Sequence, residues 1–296
     1  MDLSWLYLLP VAAALMYTVA SLLQKQAMDF QVGATRVLFI SHWVFFVCVM
    51  PAYWLGPTSP DWSLWWTPLL AGTLSALGAL FTILAIKLGD VSVATPLMGI
   101  KVLAVAVIAV VFLTQPVPLS WWLAAVITVV AVYLLGRKPS ASGRSVWPTV
   151  CLATLASVFY AGMDVTFSAF AKPFGFFQFV ALAQVVVVAT SFLLWPFFSA
   201  PLRAVPPVAL RWIVPGAVLM AAQFYCMAFS LAESGEPTAV NILYSSRGMW
   251  SVVLVALVGH WFNNRERHAG RAVMIERFTG AGLLLVAIAI VMMTSH

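Results

Sequence analysis

Long apolar runs, interrupted at short intervals by polar or proline-rich clusters, dominate the pattern of this chain. Reading between the breaks gives ten runs, at 5–27, 37–55, 64–86, 91–113, 119–136, 147–171, 174–198, 210–232, 238–262 and 271–294. Each is close to the about 20 residues a helix needs to cross a bilayer. The runs are continuous rather than alternating with a period of two, which excludes a transmembrane β-barrel. The pattern therefore predicts an all-α integral membrane protein with ten transmembrane helices joined by short connections.

Composition narrows this further. With 63% hydrophobic residues, 8% charged residues and a mean hydropathy of +1.02 over 296 residues, there is more apolar surface than one soluble core can hide. Trp65-Trp66, Trp121-Trp122 and Trp147 stand at the starts of predicted spans, where interfacial anchors belong. Cys48, Cys151 and Cys226 fall in apolar runs with no CxxC spacing and read as small core residues. The first run follows Met1-Asp2 with no basic stretch before it, so it reads as a retained helix rather than a cleaved leader. There is no GxxxxGK[ST] loop, no cluster of metal ligands and no defensible catalytic triad. An enzyme, a bound cofactor and ATP-driven pumping by this chain are not predicted.

The formal charge of +6 would suggest nucleic acid in a soluble protein. Here it is a loop bias, and no nucleic-acid partner is predicted. Ten spans put both chain ends on one side. That side carries Lys172 as its only base, against Asp2, Asp61, Glu233 and Glu236. The other carries Lys25, Arg36, Lys87, Arg137, Lys138, Arg144, Arg203, Arg211, Arg265, Arg267, Arg271 and Arg277. The positive-inside rule assigns this second side to the cytoplasm of a cell inner (plasma) membrane, with both termini on the non-cytoplasmic side.

An internal repeat adds a second constraint. Asp90-Val-Ser-Val-Ala-Thr-Pro-Leu-Met-Gly-Ile-Lys101 aligns at an offset of 146 with Glu236-Pro-Thr-Ala-Val-Asn-Ile-Leu-Tyr-Ser-Ser-Arg247, and Tyr17 aligns with Tyr160 at an offset of 143. The expected units are 1–140 and 145–296. Five spans per unit is an odd number, so the two units enter the membrane from opposite faces as an inverted repeat, with a solute site near the midplane. Lys101 and Arg247 then lie about ten residues into spans four and nine, roughly 15 Å deep at about 1.5 Å per residue. A base at the bilayer centre costs about 2.5–3.5 kcal/mol on insertion scales, so such bases mark solute pathways.

The ten spans, the two halves and the small-residue loops leading into spans four and nine resemble the drug/metabolite transporter superfamily, EamA type. The segments Ala85-Ile-Lys-Leu-Gly-Asp-Val-Ser-Val-Ala-Thr-Pro and Ala228-Phe-Ser-Leu-Ala-Glu are similar to that family's junctions between helices three and four and between eight and nine. The resemblance implies helices 1–4 and 6–9 around a central cavity, with 5 and 10 at the periphery. It also implies secondary export of amino acids and other metabolites, or exchange of phosphorylated compounds. Lys101 and Arg247 resemble the basic residues on helices four and nine with which plastid triose-phosphate translocators bind phosphate. Members usually keep both termini in the cytoplasm, whereas the charges here point the other way.

These readings converge on a secondary transporter of a small organic anion or zwitterion, a carboxylate- or phosphate-bearing metabolite, by alternating access. Lys101 and Arg247 would clamp the anionic group, Arg as a planar fork and Lys as a mobile point charge. Asp164 is the only acid well inside a span. It is expected to neutralise Arg247 or to carry a coupling proton, leaving Lys101 the less compensated base. Asn241 and Tyr244 share one helical face near Arg247 and would orient the solute. Tyr17, Tyr160 and His42 complete the candidate substrate-binding set. Pro96 and Gly99 precede Lys101 as a kink or break. Gly72, Ser75, Ala76, Ala79, Gly280 and Gly282 read as close-packing surfaces. The expected partners are the solute, the lipid bilayer and, at most, a second copy of the chain, as monomer or homodimer. Efflux of hydrophobic or cationic compounds, flipping of lipid phosphates and a non-transporting receptor or assembly subunit remain open alternatives at this point.

Overall fold

A computed structural model describes residues 3–56, 59–88, 98–114, 116–136, 147–258 and 271–294. The described residues are helical. α1 is Leu8–Met28, α2 Ala34–Val49, α3 Trp66–Leu88, α4 Lys101–Leu113, α5 Leu119–Gly136 and α6 Trp147–Phe174. α7 is Phe176–Ser191, α8 Pro207–Ser234, α9 Pro237–Tyr244, α10 Arg247–Val258 and α11 Arg271–Thr294. Six helical stretches are long and apolar enough to cross a membrane, and the shorter apolar helices Lys101–Leu113, Leu119–Leu134 and Phe278–Thr294 accompany them.

Local chemistry explains the breaks. α7 follows α6 across the single residue Gly175, whose φ of 116° favours glycine. Gly235, with a φ of 66°, ends α8 in the left-handed conformation, its N–H donating to the Leu231 carbonyl. Pro207 and Pro237 start α8 and α9 at the first helical turn, where a missing N–H costs nothing. α2 and α7 each tighten after 16 residues into a six-residue 3₁₀ turn, Met50–Leu55 and Phe192–Phe197, which carry Pro51 and Pro196.

The predicted ninth span is not one helix. α9 stops at Tyr244, a turn covers Ser245-Ser246, and α10 begins at Arg247. Likewise α4 begins at Lys101, after a 3₁₀ turn over Met98–Ile100. Both bases are therefore first residues of helices rather than interior residues of continuous ones. Pro96, the Asp90–Leu97 part of the repeat, the boundary at 140/145 and the 263–270 loop lie outside the described residues.

Helix pairing follows the repeat. α1 packs along α8 and α3 along α6; α2 packs on α8 and α3 on α7; α4 packs on α6, and α9 with α10 on α1; α5 pairs with α11. Exchanging the first five helical spans for the last five turns each of these pairs into another of them, except α5 with α11, which maps onto itself. Close approaches between neighbouring helices use small residues: a Cβ on Gly72 would sit 2.5 Å from the Ala183 carbonyl oxygen of α7, and one on Gly99 2.9 Å from Val132 of α5. Gly282 does not follow its expected packing role, since a Cβ there would meet nothing within 4 Å. Cys48 and Cys151 are exposed rather than in a core.

One end of the bundle gathers Tyr7, whose hydroxyl donates to Glu236, the Lys172–Glu233 ion pair at 2.8 Å, and the Asp61 N–H on the Phe174 carbonyl. Trp121 Nε1 donates to Thr294 there at 3.0 Å, so both ends of the chain meet at this end. At the other end Arg36 is buried and donates to the carbonyls of Gln31 and Pro201 and to Ser199, tying the α1–α2 loop to the α7–α8 loop. The up-and-down order of spans predicts this segregation of loops. The main core, with Phe167, Phe174, Phe179, Val180 and Leu231 all but inaccessible, lies toward the end that holds the termini.

Candidate functional site

A cavity of 320 Å³ runs between the halves. Its walls repeat the internal symmetry. α2 and α7 correspond at an offset of 142 and α3 and α8 at 141, from their first residues. At these offsets, and those of the sequence repeat, the lining residues fall into pairs: Tyr17 with Tyr160, His42 with Gln184, Phe45 with Val187, Thr82 with Gln223, and Lys101 with Arg247. Both members of every pair face the same space. The lining extends from Gln24 and Leu38, four residues from their helix termini at the end bearing the α1–α2 loop, to Leu231, three residues from the opposite end of α8. Phe167 in the wall packs edge-on against Phe179 at 4.9 Å and Phe224 at 5.4 Å.

The two bases have different partners. Lys101 Nζ is 2.6 Å from Asp164 Oδ2, with the aspartate side chain 1% exposed. The Lys101 ammonium also stands 5.9 Å from the centre of the Tyr160 ring. The Arg247 guanidinium lies 5.1 Å from the Tyr17 ring centre and 5.0 Å from that of Tyr244. Among the described residues, no carboxylate forms an ion pair with Arg247. Tyr244 is held by its hydroxyl, which donates to Gln223 Oε1 at 3.1 Å. Each base thus rests on the tyrosine that the repeat assigns to it, from the first helix of the opposite half.

The expected pairing of Asp164 with Arg247 is therefore corrected: Asp164 pairs with Lys101, and Arg247 is the base without a carboxylate. Packing decides this. α4 lies along α6, which carries Asp164, whereas α10 lies along α1. The residue of α1 that corresponds to Asp164 at the offset of 143 is Ser21, which offers no charge and donates to the Tyr17 carbonyl at 2.8 Å. With the three groups ionised, the cavity holds one excess positive charge.

The helix starts sharpen the imbalance. The first turn of a helix presents free N–H groups and a partial positive charge, so a base there is disfavoured by about 0.3–1 kcal/mol and an anion is favoured by a similar amount. Lys101 and Arg247 both occupy that position.

Of the remaining candidates, Tyr17, Tyr160, His42 and Tyr244 line the cavity and Asn241 does not. Asn241 is 2% exposed, and its amide donates to the Pro237 carbonyl at 3.0 Å, so it serves its own helix. His42 Nδ1 is buried without a hydrogen-bond partner among the described residues, and its carbonyl accepts from Gln184 Nε2 at 3.3 Å. Gln24 donates to Ser41 at 3.2 Å, and both line the wall. Thr82 and Phe45 are lining residues that the sequence reading passed over. The signal for both was present: they are the repeat partners of Gln223 and Val187. No group of three or more potential metal ligands exists among the described residues.

Comparison with known proteins bears on the whole arrangement. The model of a family described as "EamA-like transporter family" matches residues 4–137. A solved structure described as "Crystal structure of protein" superposes with a TM-score of 0.73 at 15% identity, covering 97% of this chain and 96% of that one. That likeness speaks for the fold alone. No match is found among curated proteins.

Proposed function

We propose that this chain, which belongs through residues 4–137 to the EamA-like transporter family and so acts as a multi-pass membrane transporter, carries a small organic anion through the central cavity. The observation that supports this reading is the Arg247 guanidinium. It faces the cavity from a helix start, lies against two tyrosine rings and has no carboxylate ion-pair partner among the described residues. A carboxylate or phosphate would meet the planar fork of Arg247 at the start of α10. Lys101 sits across the same space as the second contact, and Tyr17, Tyr244 and Gln223 would fix orientation. His42 offers a neutral nitrogen on the wall. A cationic drug would meet an excess of positive charge, which disfavours that alternative.

The internal repeat suggests how the solute moves. The units 1–140 and 145–296 would rock about the paired wall residues, exposing the site to each face in turn. The positive-inside rule places the base-rich end in the cytoplasm of the inner membrane, with the termini outside. A periplasm-active reporter fused after His296 is expected to be active and a cytoplasm-active one silent; the reverse pattern removes the orientation.

The solute class is tested by thermal unfolding of the purified protein against a panel of carboxylates, phosphates and amines. Anions are expected to raise the midpoint, by RT ln(1 + [L]/Kd) of added stability. Stabilisation by amines alone overturns the proposal.

A further inference from the structure

Asp164 makes the site more than a fixed positive patch. Its Oδ2 forms an ion pair with Lys101 Nζ at 2.6 Å, and both of its oxygens are buried with no hydrogen-bond partner among the described residues. Lys101 therefore has one carboxylate already, and a substrate that engages Lys101 competes with Asp164 for it. A singly charged anion need not compete: on Arg247 it brings the cavity to neutrality. A doubly charged anion spanning Arg247 and Lys101 would leave Asp164 ionised, buried and without its partner, in a cavity of net negative charge. Such an uncompensated charge is costly, and a buried carboxylate escapes the cost by taking a proton.

We infer that this transporter couples a dianion to a proton through Asp164. As Lys101 turns from Asp164 Oδ2 to the substrate, one proton from water binds the aspartate. Lys101 keeps its own three protons throughout, and only its ion-pair partner changes. The loaded cavity then holds two bases, one neutral acid and one dianion, and is electrically neutral. The inference rests on the anion reading above and adds to it the charge of the solute and the coupling ion.

The surroundings supply no other acid for this role. Arg247 faces Asp164 from α10, Lys101 from α4, Tyr244 from α9, Tyr17 from α1 and Tyr160 from its own helix. α3, α7 and α8 present Thr82, Gln184 and Gln223, which do not titrate, and α2 presents His42. Asp164 is the single carboxylate among the lining residues.

The test uses sulfate, which carries no titrating proton near neutral pH. Isothermal titration of the purified full chain, repeated in buffers of different ionisation enthalpy, reads the protons taken up on binding. About one proton per sulfate is expected for the wild type and none for Asp164→Asn. The infrared spectrum of the wild type is expected to gain the carbonyl stretch of a protonated carboxylic acid when sulfate is added, a readout that needs no variant. Sulfate binding without proton uptake overturns the coupling and leaves the anion reading standing. Binding of acetate but not of sulfate does the same. Failure of every anion to bind removes both.

Discussion

Lys101→Met is expected to lower the stability of the protein by about 3–5 kcal/mol, the usual cost of removing one partner from a buried ion pair. The side chain of Asp164 is 1% exposed and its ion pair is with Lys101. Methionine fills the volume of the lysine stem but leaves the carboxylate facing apolar neighbours and the start of α4. Most of the loss is expected to return in Lys101→Met/Asp164→Asn, because the second change removes the stranded charge while keeping the shape. The single change Asp164→Asn should cost less than Lys101→Met, since the Lys101 side chain is 15% exposed and reaches the cavity, where water or an anion can serve it. The measurement is a thermal midpoint for the four proteins of this double-mutant cycle. A Lys101→Met variant as stable as the wild type would mean that the pair contributes nothing, and that Asp164 is solvated from elsewhere.

Much of this arrangement follows from one-dimensional properties of the chain, and the part that does not depends on helix rotation. The span count, the segregation of loops to two ends and the correspondence of Lys101 with Arg247 depend only on order, length and charge. Which base Asp164 neutralises depends instead on which helices touch. Position within a span does not decide this, and the packing of α4 along α6 selects Lys101. Asn241 was misplaced for a related reason. Spacing puts it on the face of Tyr244, but does not show that its amide is taken by the Pro237 carbonyl of its own helix. Two serines in an apolar run are weak punctuation in sequence. In the fold Ser245 Oγ donates to the Asn241 carbonyl at 2.8 Å, while Ser246 Oγ is buried without a hydrogen-bond partner among the described residues. The repeat itself held more than was drawn from it: once the offsets of 141–143 are applied helix by helix, Thr82 joins Gln223 and His42 joins Gln184 on the cavity wall.

The same rotation makes Arg247 the residue whose loss should separate function from stability. Arg247→Gln removes no ion pair among the described residues. It loses two cation–π contacts, worth about 0.5–2 kcal/mol each, and it relieves a buried cation at a helix start, which offsets part of that loss. The thermal midpoint should therefore move much less than in Lys101→Met. Binding should respond in the opposite order. A charge-assisted hydrogen bond to an anion contributes about 1.5–3 kcal/mol, so losing a bidentate pair weakens binding by roughly 100-fold or more. Arg247→Lys keeps the charge at the start of α10 but offers a point in place of a planar fork, and should fall between the two. The check is the anion-induced rise in midpoint, measured beside uptake in reconstituted vesicles. An Arg247→Gln protein that folds normally and still gains the full anion-dependent stabilisation would move the binding site away from the paired bases altogether. The expected outcome, a normal midpoint with no response to anions, would assign the excess positive charge of the cavity to recognition.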